Sequence, residues 1–481
     1  MSPISDIVMM GARALAAAIA ARKLSCADVM TAYLDHIDRF NPQVNAIVAL
    51  QERGDLMAQA QERDAQLARG ESMGPLHGLP HAVKDILAVK GMPMTYGSPI
   101  FKDFVPAADS LPVERMRAAG AIFVGKTNTP EFALGSHTVN PVYGATRNAY
   151  DLNRSAGGSS GGAAVALALR MLPLADGTDY GGSLRNPAGW NNVLGFRTSA
   201  GLVPMAGEDV WSPSISVTGP MARSAADLAL LLSVMAGHDL RSPQSLPGSG
   251  ERFLESLDRD FKGARIGWLG NLNGWAPYEP GVLEVCQSAL TTFESLGARV
   301  EAVMPEASPE QAWKAFIKIR QWQQGPNFQI HYNNPARRAL LKPEAIWEVE
   351  ESMKLSAFEV ANASAARTRW SNAVQHLFHD HDFLVMPTAQ IFAFDIAEDW
   401  PHEIAGQAMQ TYHEWMKAVC LISLTGCPSL AVPAGFDGRG LAMGLQIIAP
   451  IHHEMDCLKL AHAYEGAKNW AADVLPPLLR A

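Results

Sequence analysis

The order of apolar and polar positions divides the chain into parts of different texture. In residues 11–70, apolar residues recur at helical spacing. Ser25, followed three residues later by Asp28, predicts a capping box at the start of one of these helices. The pair Asn41-Pro42 predicts where that helix ends. The first part of the chain is therefore predicted to be helical.

From about residue 75 the pattern changes to short apolar runs broken by glycine. LPHAVKDILAV and AIFVG alternate with helical patterns such as LPVERMRAAG, which favours alternating strands and helices. GGAAVALALRM (161–171) is an unbroken run of helix formers after a glycine-rich entry, and it predicts a buried helix. Strands return near the C-terminal end, at FLVMPT (383–388), SLAVPAGF (429–436) and GLQIIAP (444–450).

These textures predict one α/β domain over residues 1–481. Its core would lie in 65–235, a helical excursion in about 300–380, and a returning sheet part in 383–470. Four tryptophans fall within the excursion, at positions 313, 322, 347 and 370. They could cap an apolar substrate group, but we favour the interpretation that they belong to the core.

Composition excludes several classes of protein. The net charge is −9 and the pI is about 5.9, with no basic stripe of the kind that binds nucleic acid. The five cysteines form no CxxC pair, so we expect neither a zinc site nor a disulfide framework. No apolar run approaches 18 residues, so no membrane span is expected. We expect a cytoplasmic protein.

Three motifs point to chemistry that their context contradicts. GAIFVGKT (120–127) matches the P-loop expression, but its middle residues are strand formers rather than a flexible phosphate-binding loop. GGSSG (157–161) matches a nucleophile elbow, yet it follows a polar loop instead of a strand. HLFHDHDF (376–383) contains metal-ligating residue types, but it is better explained as polar residues where a helix meets a strand.

Three places remain that join a reactive side chain to a glycine-shaped backbone. Lys84 lies in the apolar run GLPHAVKDI; such a lysine usually reaches the surface, but burial would lower its pKa and make it a base. Ser159 and Ser160 lie in GGSSGG, where a helix cap is the simpler interpretation. Ser183 follows two glycines, which let successive amides converge into an anion-binding nest.

Taken together, these stretches resemble the amidase signature family along nearly the whole chain. The serine-rich block and the GGSLR block, in this order, are the most specific part of the resemblance. The matching stretches are GLPHAVKD (78–85), GKTNTPEF (125–132), GGSSGGAAVALA (157–168), DGTDYGGSLRNPA (176–188), GPMARSAAD (219–227) and LTGCPSLAVPAGF with GLQII (424–448). The resemblance implies a mixed, twisted central β-sheet covered by helices on both faces.

The resemblance also implies a Ser–Ser–Lys triad. Ser183 matches the nucleophile, Lys84 the general base, and Ser159 a bridging serine that follows a cis peptide bond. The oxyanion hole would be formed by the backbone of Tyr180, Gly181, Gly182 and Ser183, with Ser160, Asp179 and Arg185 as supporting residues. Tyr180 replaces a smaller residue of many relatives, so we expect it to narrow the pocket or stack on the substrate.

The function implied is serine-dependent hydrolysis of carbon–nitrogen bonds in non-peptide amides through an acyl-enzyme. Small aryl or apolar amides and anilides are the expected substrates, and carbamates and esters undergo the same acyl attack. The alternative is the amidase subunit of a glutamine-dependent tRNA amidotransferase. We expect no cofactor and no metal ion, and a homodimer is compatible with the sequence.

Overall fold

The structure, a computed structural model, describes residues 4–207, 209–212 and 215–480. The α-helices are α1 (Asp6–Met9), α2 (Ala12–Ala20), α3 (Cys26–Val44), α4 (Arg53–Ala68), α5 (Leu111–Ala118), α6 (Gly161–Ala168), α7 (Arg185–Trp190), α8 (Ala225–Met235), α9 (Val282–Ser295), α10 (Pro309–Tyr332), α11 (Pro335–Arg338), α12 (Pro343–Ser352), α13 (Ala357–Leu377), α14 (Lys417–Thr425), α15 (Glu454–Ala467), α16 (Trp470–Asp473) and α17 (Pro477–Arg480).

The strands are β1 (Ile47–Val48), β2 (Pro80–Lys84), β3 (Ile122–Thr127), β4 (Val139–Asn140), β5 (Gly144–Ala145), β6 (Ala175–Asp179), β7 (Leu194–Arg197), β8 (Val217–Ala222), β9 (Arg265–Trp268), β10 (Arg299–Ala302), β11 (Phe383–Pro387), β12 (Glu403–Ile404), β13 (Gln407–Ala408), β14 (Ser429–Phe436) and β15 (Ala442–Ile448). Short 3₁₀ turns lie at Pro99–Phe101, Glu131–Ala133, Gly250–Leu254 and Glu414–Met416.

Within the described residues, eight strands form one mixed sheet in the order β10-β9-β11-β15-β14-β7-β8-β6. The pairs β10–β9 and β9–β11 are parallel, and the pairs that follow toward β6 are antiparallel. A second sheet has the order β1-β3-β2. The single α/β domain with a mixed central sheet flanked by helices is confirmed; its subdivision at 65–235, 300–380 and 383–470 stays a prediction.

Local sequence signals account for most element boundaries, with one correction. The capping box of α3 is confirmed: the Ser25 hydroxyl accepts a 2.9 Å hydrogen bond from the Asp28 amide, and the Asp28 carboxylate accepts one from the Ser25 amide. The predicted end of this helix at Asn41-Pro42 is wrong. The helix includes Pro42 and ends at Val44, because Asn45 supplies the left-handed conformation (φ 53°) that closes a helix.

The helix predicted at 161–171 is confirmed as α6, which ends earlier, at Ala168, and is buried along its whole length. The strand predicted at AIFVG is β3, and it includes Lys126 and Thr127 of the P-loop match. The Lys126 amine donates to the Leu87 carbonyl inside the protein. This stretch is therefore a buried strand and no phosphate-binding loop.

The helical excursion is present as α10 to α13. Trp313 and Trp370 are buried in the core, as favoured from the sequence, whereas Trp322 is 37% exposed. All five cysteines are buried free thiols. No described helix combines the length and apolar character that crossing a membrane requires.

The two sheets meet where three loops with the candidate residues converge. Lys84 ends β2 in the small sheet, and Asp179 ends β6, the edge strand of the large sheet. Asp176 of β6 joins the sheets: its carboxylate is 2.9 Å from His81 Nε2 and accepts from the Lys84 amide at 3.2 Å. The N-terminus of α6 follows Ser160 directly.

The close packing of α6 makes Gly162 sensitive to substitution. A Cβ atom at Gly162 would lie 2.4 Å from the Asn128 amide nitrogen and 2.5 Å from the Ala46 carbonyl oxygen. Because both atoms belong to the backbone, we expect Gly162→Ala to lower the free energy of unfolding by roughly 1–3 kcal/mol or more. Denaturant unfolding measures it. Gly54→Ala is the control, since its Cβ would meet no atom within 4 Å; an equal loss in both variants would contradict the expectation.

Candidate active site

Lys84 is fully buried, and its amine is surrounded by hydroxyl groups. The Nζ atom donates to Ser159 Oγ at 2.7 Å, Ser160 Oγ at 2.9 Å and Thr178 Oγ1 at 2.9 Å. Burial lowers the pKa of Lys84 to about 7, and the more distant carboxylates of Asp176 and Asp179 only partly oppose this effect. A substantial fraction of this amine is therefore neutral near pH 7, as a general base requires.

Ser159 and Ser160 lie in the loop between the described strand β5 and helix α6. The peptide bond between Gly158 and Ser159 is cis, as the family resemblance implies. The Gly158 carbonyl accepts a 2.6 Å hydrogen bond from the Ser136 hydroxyl. The Ser160 amide donates to the Ser183 carbonyl at 3.2 Å, which places the two serine-containing loops side by side.

The turn at residues 180–183 owes its shape to glycine. Gly182 has φ +105°, and a Cβ there would lie 2.6 Å from Asn186 Oδ1. A Cβ at Gly181 would lie 2.9 Å from the sulfur of Cys420. Larger residues at either position would collide with neighbours, and at Gly182 they would also adopt an unfavourable backbone conformation.

Alternate amides of this turn face different environments. The Gly182 amide donates to Asp179 Oδ1 at 2.9 Å, and the Leu184 amide donates to Asp179 Oδ2 at 3.1 Å. The amides of Tyr180, Gly181 and Ser183 have no hydrogen-bond acceptor among the described residues. Three of the four predicted oxyanion donors are thus free, while the Gly182 amide is occupied by the carboxylate.

Asp179 is held as a buried anion by two arginines. Arg185 makes a two-pronged contact, Nε to Oδ2 at 3.0 Å and Nη2 to Oδ1 at 2.9 Å, and Arg197 adds a 3.2 Å bond to Oδ1. Burial disfavours the charged carboxylate, but the arginines outweigh it and hold the pKa of Asp179 well below its usual range. The carboxylate therefore stays ionised and keeps the turn in place.

Ser183 lines a narrow cavity of about 30 Å³. Its wall residues are Ala133, Gly135, Ser136, Tyr180, Gly181, Ser183, Phe316, Arg320, Tyr412, His413, Met416 and Cys420. A cavity of about 310 Å³ adjoins it, sharing Gly135, Ser136 and Tyr412. The largest cavity described, about 660 Å³, lies elsewhere and contains none of the predicted site residues.

Tyr180 lies on the wall of the Ser183 cavity and is tied to helix α10. Its hydroxyl donates to Gln323 Oε1 at 2.8 Å, its ring lies 5.8 Å from that of Phe316, and the Arg320 guanidinium carbon lies 5.1 Å from the ring centre. These contacts leave Tyr180 little freedom. It narrows the cavity, as one of the two predicted roles requires.

Comparison with known proteins agrees with this arrangement. The sequence model of the Amidase family matches residues 28–458. The chain belongs to the amidase signature family. An acylamidase of Rhodococcus erythropolis is 34% identical over 471 residues, covering 96% of each chain. One component of a glutamyl-tRNA(Gln) amidotransferase of Picosynechococcus is 33% identical, covering 96% of this chain and 99% of its own.

A solved bacterial aryl acylamidase of the amidase signature family superposes with a TM-score of 0.91 at 28% identity, covering 98% of this chain and 99% of its own. The chain is thus an amidase signature enzyme that hydrolyses amide carbon–nitrogen bonds. The fold and the reaction class follow from the family, whereas the individual site residues rest on the geometry above.

Sequence reasoning missed several residues of this amidase signature site. Thr178 is the third hydroxyl on Lys84, and Arg197 is the second arginine on Asp179. Arg197 ends the apolar strand LGFR, so a buried arginine in a strand was the available signal. Arg320 and His413 come from distant parts of the chain and carry no local signal. The His376–His379 pair lies away from the site, and no described group of three ligating residues is arranged to hold a metal ion.

The lowered pKa of Lys84 predicts how stability depends on pH. In the unfolded chain a lysine titrates near pH 10.4, so between about pH 7 and 10 the unfolded state binds the extra proton and stability rises with pH. We expect the stability of the native protein to gain on that of Lys84→Met by up to about 1.4 kcal/mol per pH unit in this window. Denaturant unfolding of both proteins at pH 6 to 9 measures the difference. A difference that does not change with pH would contradict a buried lysine of low pKa.

Proposed function

We propose that this amidase signature enzyme hydrolyses small aryl or apolar amides and anilides through an acyl-enzyme on Ser183. The observation that carries the proposal is the contact of the buried Lys84 amine with Ser159, in a loop bonded to that of Ser183. Carbamates, including urethanes, and esters are included because their carbonyl carbons undergo the same attack.

The first step is activation of Ser183 through a relay of protons. Neutral Lys84 takes a proton from Ser159, which takes one from Ser183, and the Ser183 oxygen attacks the substrate carbonyl carbon. A serine hydroxyl needs such a base because it is a weak nucleophile at neutral pH. The free amides of Gly181 and Ser183, with that of Tyr180, donate to the oxyanion. Removing one such donor typically costs roughly 100–1,000-fold in rate.

The second step is departure of the amine. An amine anion is a very poor leaving group, so the relay returns its proton to the substrate nitrogen as the carbon–nitrogen bond breaks. Water then attacks the acyl-enzyme, loses a proton to the same relay and releases the acid. Ser160, Asp179 and Arg185 hold the reacting groups in position and take no part in bond making.

The cavity next to Ser183 supports the choice of aryl substrates. Its 310 Å³ hold Trp400 and Trp415 on the wall, which can pack against a ring. The relatives named as acylamidase and aryl acylamidase act on substrates of this kind by their names. Five buried free thiols support a reducing, cytoplasmic location, and whether the enzyme is a homodimer stays a prediction.

The alternative function, amidase subunit of a glutamine-dependent tRNA amidotransferase, rests on relatives of nearly equal identity. The two functions differ in what the purified chain does by itself. A stand-alone amidase hydrolyses an anilide without any partner. Activity that appears only with glutamine and a partner protein would favour the amidotransferase.

Replacement of the proposed nucleophile provides the direct test. We expect Ser183→Ala to lower kcat on an anilide by roughly 1,000-fold or more, because no other group can form the acyl-enzyme. Release of the aryl amine from purified protein measures it. Ser288→Ala, at an exposed position of helix α9, is the control and should keep full activity. Hydrolysis that survives Ser183→Ala would exclude the mechanism.

Replacement of the proposed base separates its two tasks. We expect Lys84→Met to lose far more activity on an anilide than on a p-nitrophenyl ester, because a nitrophenolate leaves without a proton and an amine does not. Values of kcat/KM for both substrates on the same preparation measure the difference. Equal losses would count against delivery of a proton to the leaving group by Lys84.

A further inference from the structure

A buried polar cluster forms part of the wall of the Ser183 cavity. We call it the Glu348 cluster: Arg320 of α10, Glu348 of α12, and Tyr412 and His413 before the last 3₁₀ turn. Glu348 Oε1 accepts from Arg320 Nε at 2.6 Å and from the Tyr412 hydroxyl at 2.6 Å, and it lies 3.2 Å from His413 Nε2. Arg320, Tyr412 and His413 line the cavity together with Ser183.

The charges of the cluster determine which nitrogen of His413 carries the proton. Burial disfavours an ionised Glu348, but Arg320 prevails and lowers the pKa of Glu348 to about 2. An ionised carboxylate only accepts hydrogen bonds, so His413 Nε2 is the donor. Burial lowers the pKa of His413 to about 4, so the ring is neutral at pH 7. Nδ1 is therefore an acceptor with a free lone pair.

This acceptor has no partner inside the protein. His413 is 2% exposed, and its Nδ1 is a buried atom without a hydrogen bond to any described residue. Leaving a buried acceptor unpaired is unfavourable, and a donor that arrives with the substrate removes that penalty. The cavity has room for little more than the atoms around a scissile bond, so a group attacked by Ser183 lies close to its walls.

We propose that His413 Nδ1 accepts a hydrogen bond from the N–H group of the substrate held at Ser183. The proposal rests on the function proposed above and deepens it. His413 thereby favours anilides, amides and carbamates that carry an N–H over esters of the same shape. An ester has an oxygen at that place, brings no donor and leaves Nδ1 unpaired, which is the kind of difference by which sites reject isosteric substrates.

Two substitutions separate this role from a purely structural one. His413→Gln can place an amide N–H near the position of Nε2, so it keeps the bond to Glu348 and removes the acceptor at the Nδ1 position. His413→Asn does the reverse: its amide oxygen can replace Nδ1, and it loses the bond to Glu348. A residue that only supports Glu348 would tolerate Gln better than Asn.

The experiment compares an anilide with the phenyl ester of the same acid. kcat/KM for both is measured on one preparation each of the native protein, His413→Gln and His413→Asn. We expect His413→Gln to lower the anilide-to-ester ratio by about 10-fold or more, as expected for one lost hydrogen bond, and His413→Asn to stay within about 3-fold of the native ratio. The ratio does not depend on how much of a preparation is folded, since both substrates report on the same active molecules.

A native ratio in His413→Gln, or an equal fall in both variants, overturns the proposal. The failure of the proposed function looks different: the native protein then hydrolyses neither substrate, or Ser183→Ala still hydrolyses them. A changed ratio in His413→Gln in a protein whose activity depends on Ser183 supports both inferences.

Discussion

The ion pair of Asp179 with Arg185 and Arg197 is the interaction on which the site depends. A carboxylate without exposure to water would take up a proton unless cations and amides compensated for its lost hydration. Here the compensation also has a geometric effect. By binding the amides of Gly182 and Leu184, the carboxylate turns those of Gly181 and Ser183 toward other surroundings. The anion thus selects which amides stay available.

The same arginine extends this order into the rest of the fold. Arg185 donates to Gln446 Oε1 on β15 at 2.7 Å and to the Ser423 hydroxyl on α14 at 2.6 Å. Gln446 lies in the middle of the large sheet, so the turn with Ser183 is fastened to the most rigid part of the molecule. This is the support that a preorganised site needs, because small displacements of reacting groups lower rates steeply.

Sequence reasoning succeeded where the determinants are local. The glycines around Ser183, the capping box of α3 and the buried run of α6 are properties of neighbouring residues, and the structure has them as expected. It failed where the determinant lies far away in the chain. The end of α3 depends on the left-handed Asn45 rather than on Pro42, and His413 acquires its single protonation state only from Glu348. Side chains brought together by three different elements leave no pattern along one of them.

The burial of all five cysteines has a practical consequence. Burial raises the pKa of Cys286, Cys420 and Cys427 above that of an ordinary thiol, so these thiolates are scarce as well as sheltered. A single cysteine introduced at an exposed position would then be the one accessible thiol of the described chain. The enzyme could be coupled through that position to a fluorophore or a solid support in a chosen orientation, with its own cysteines left in place.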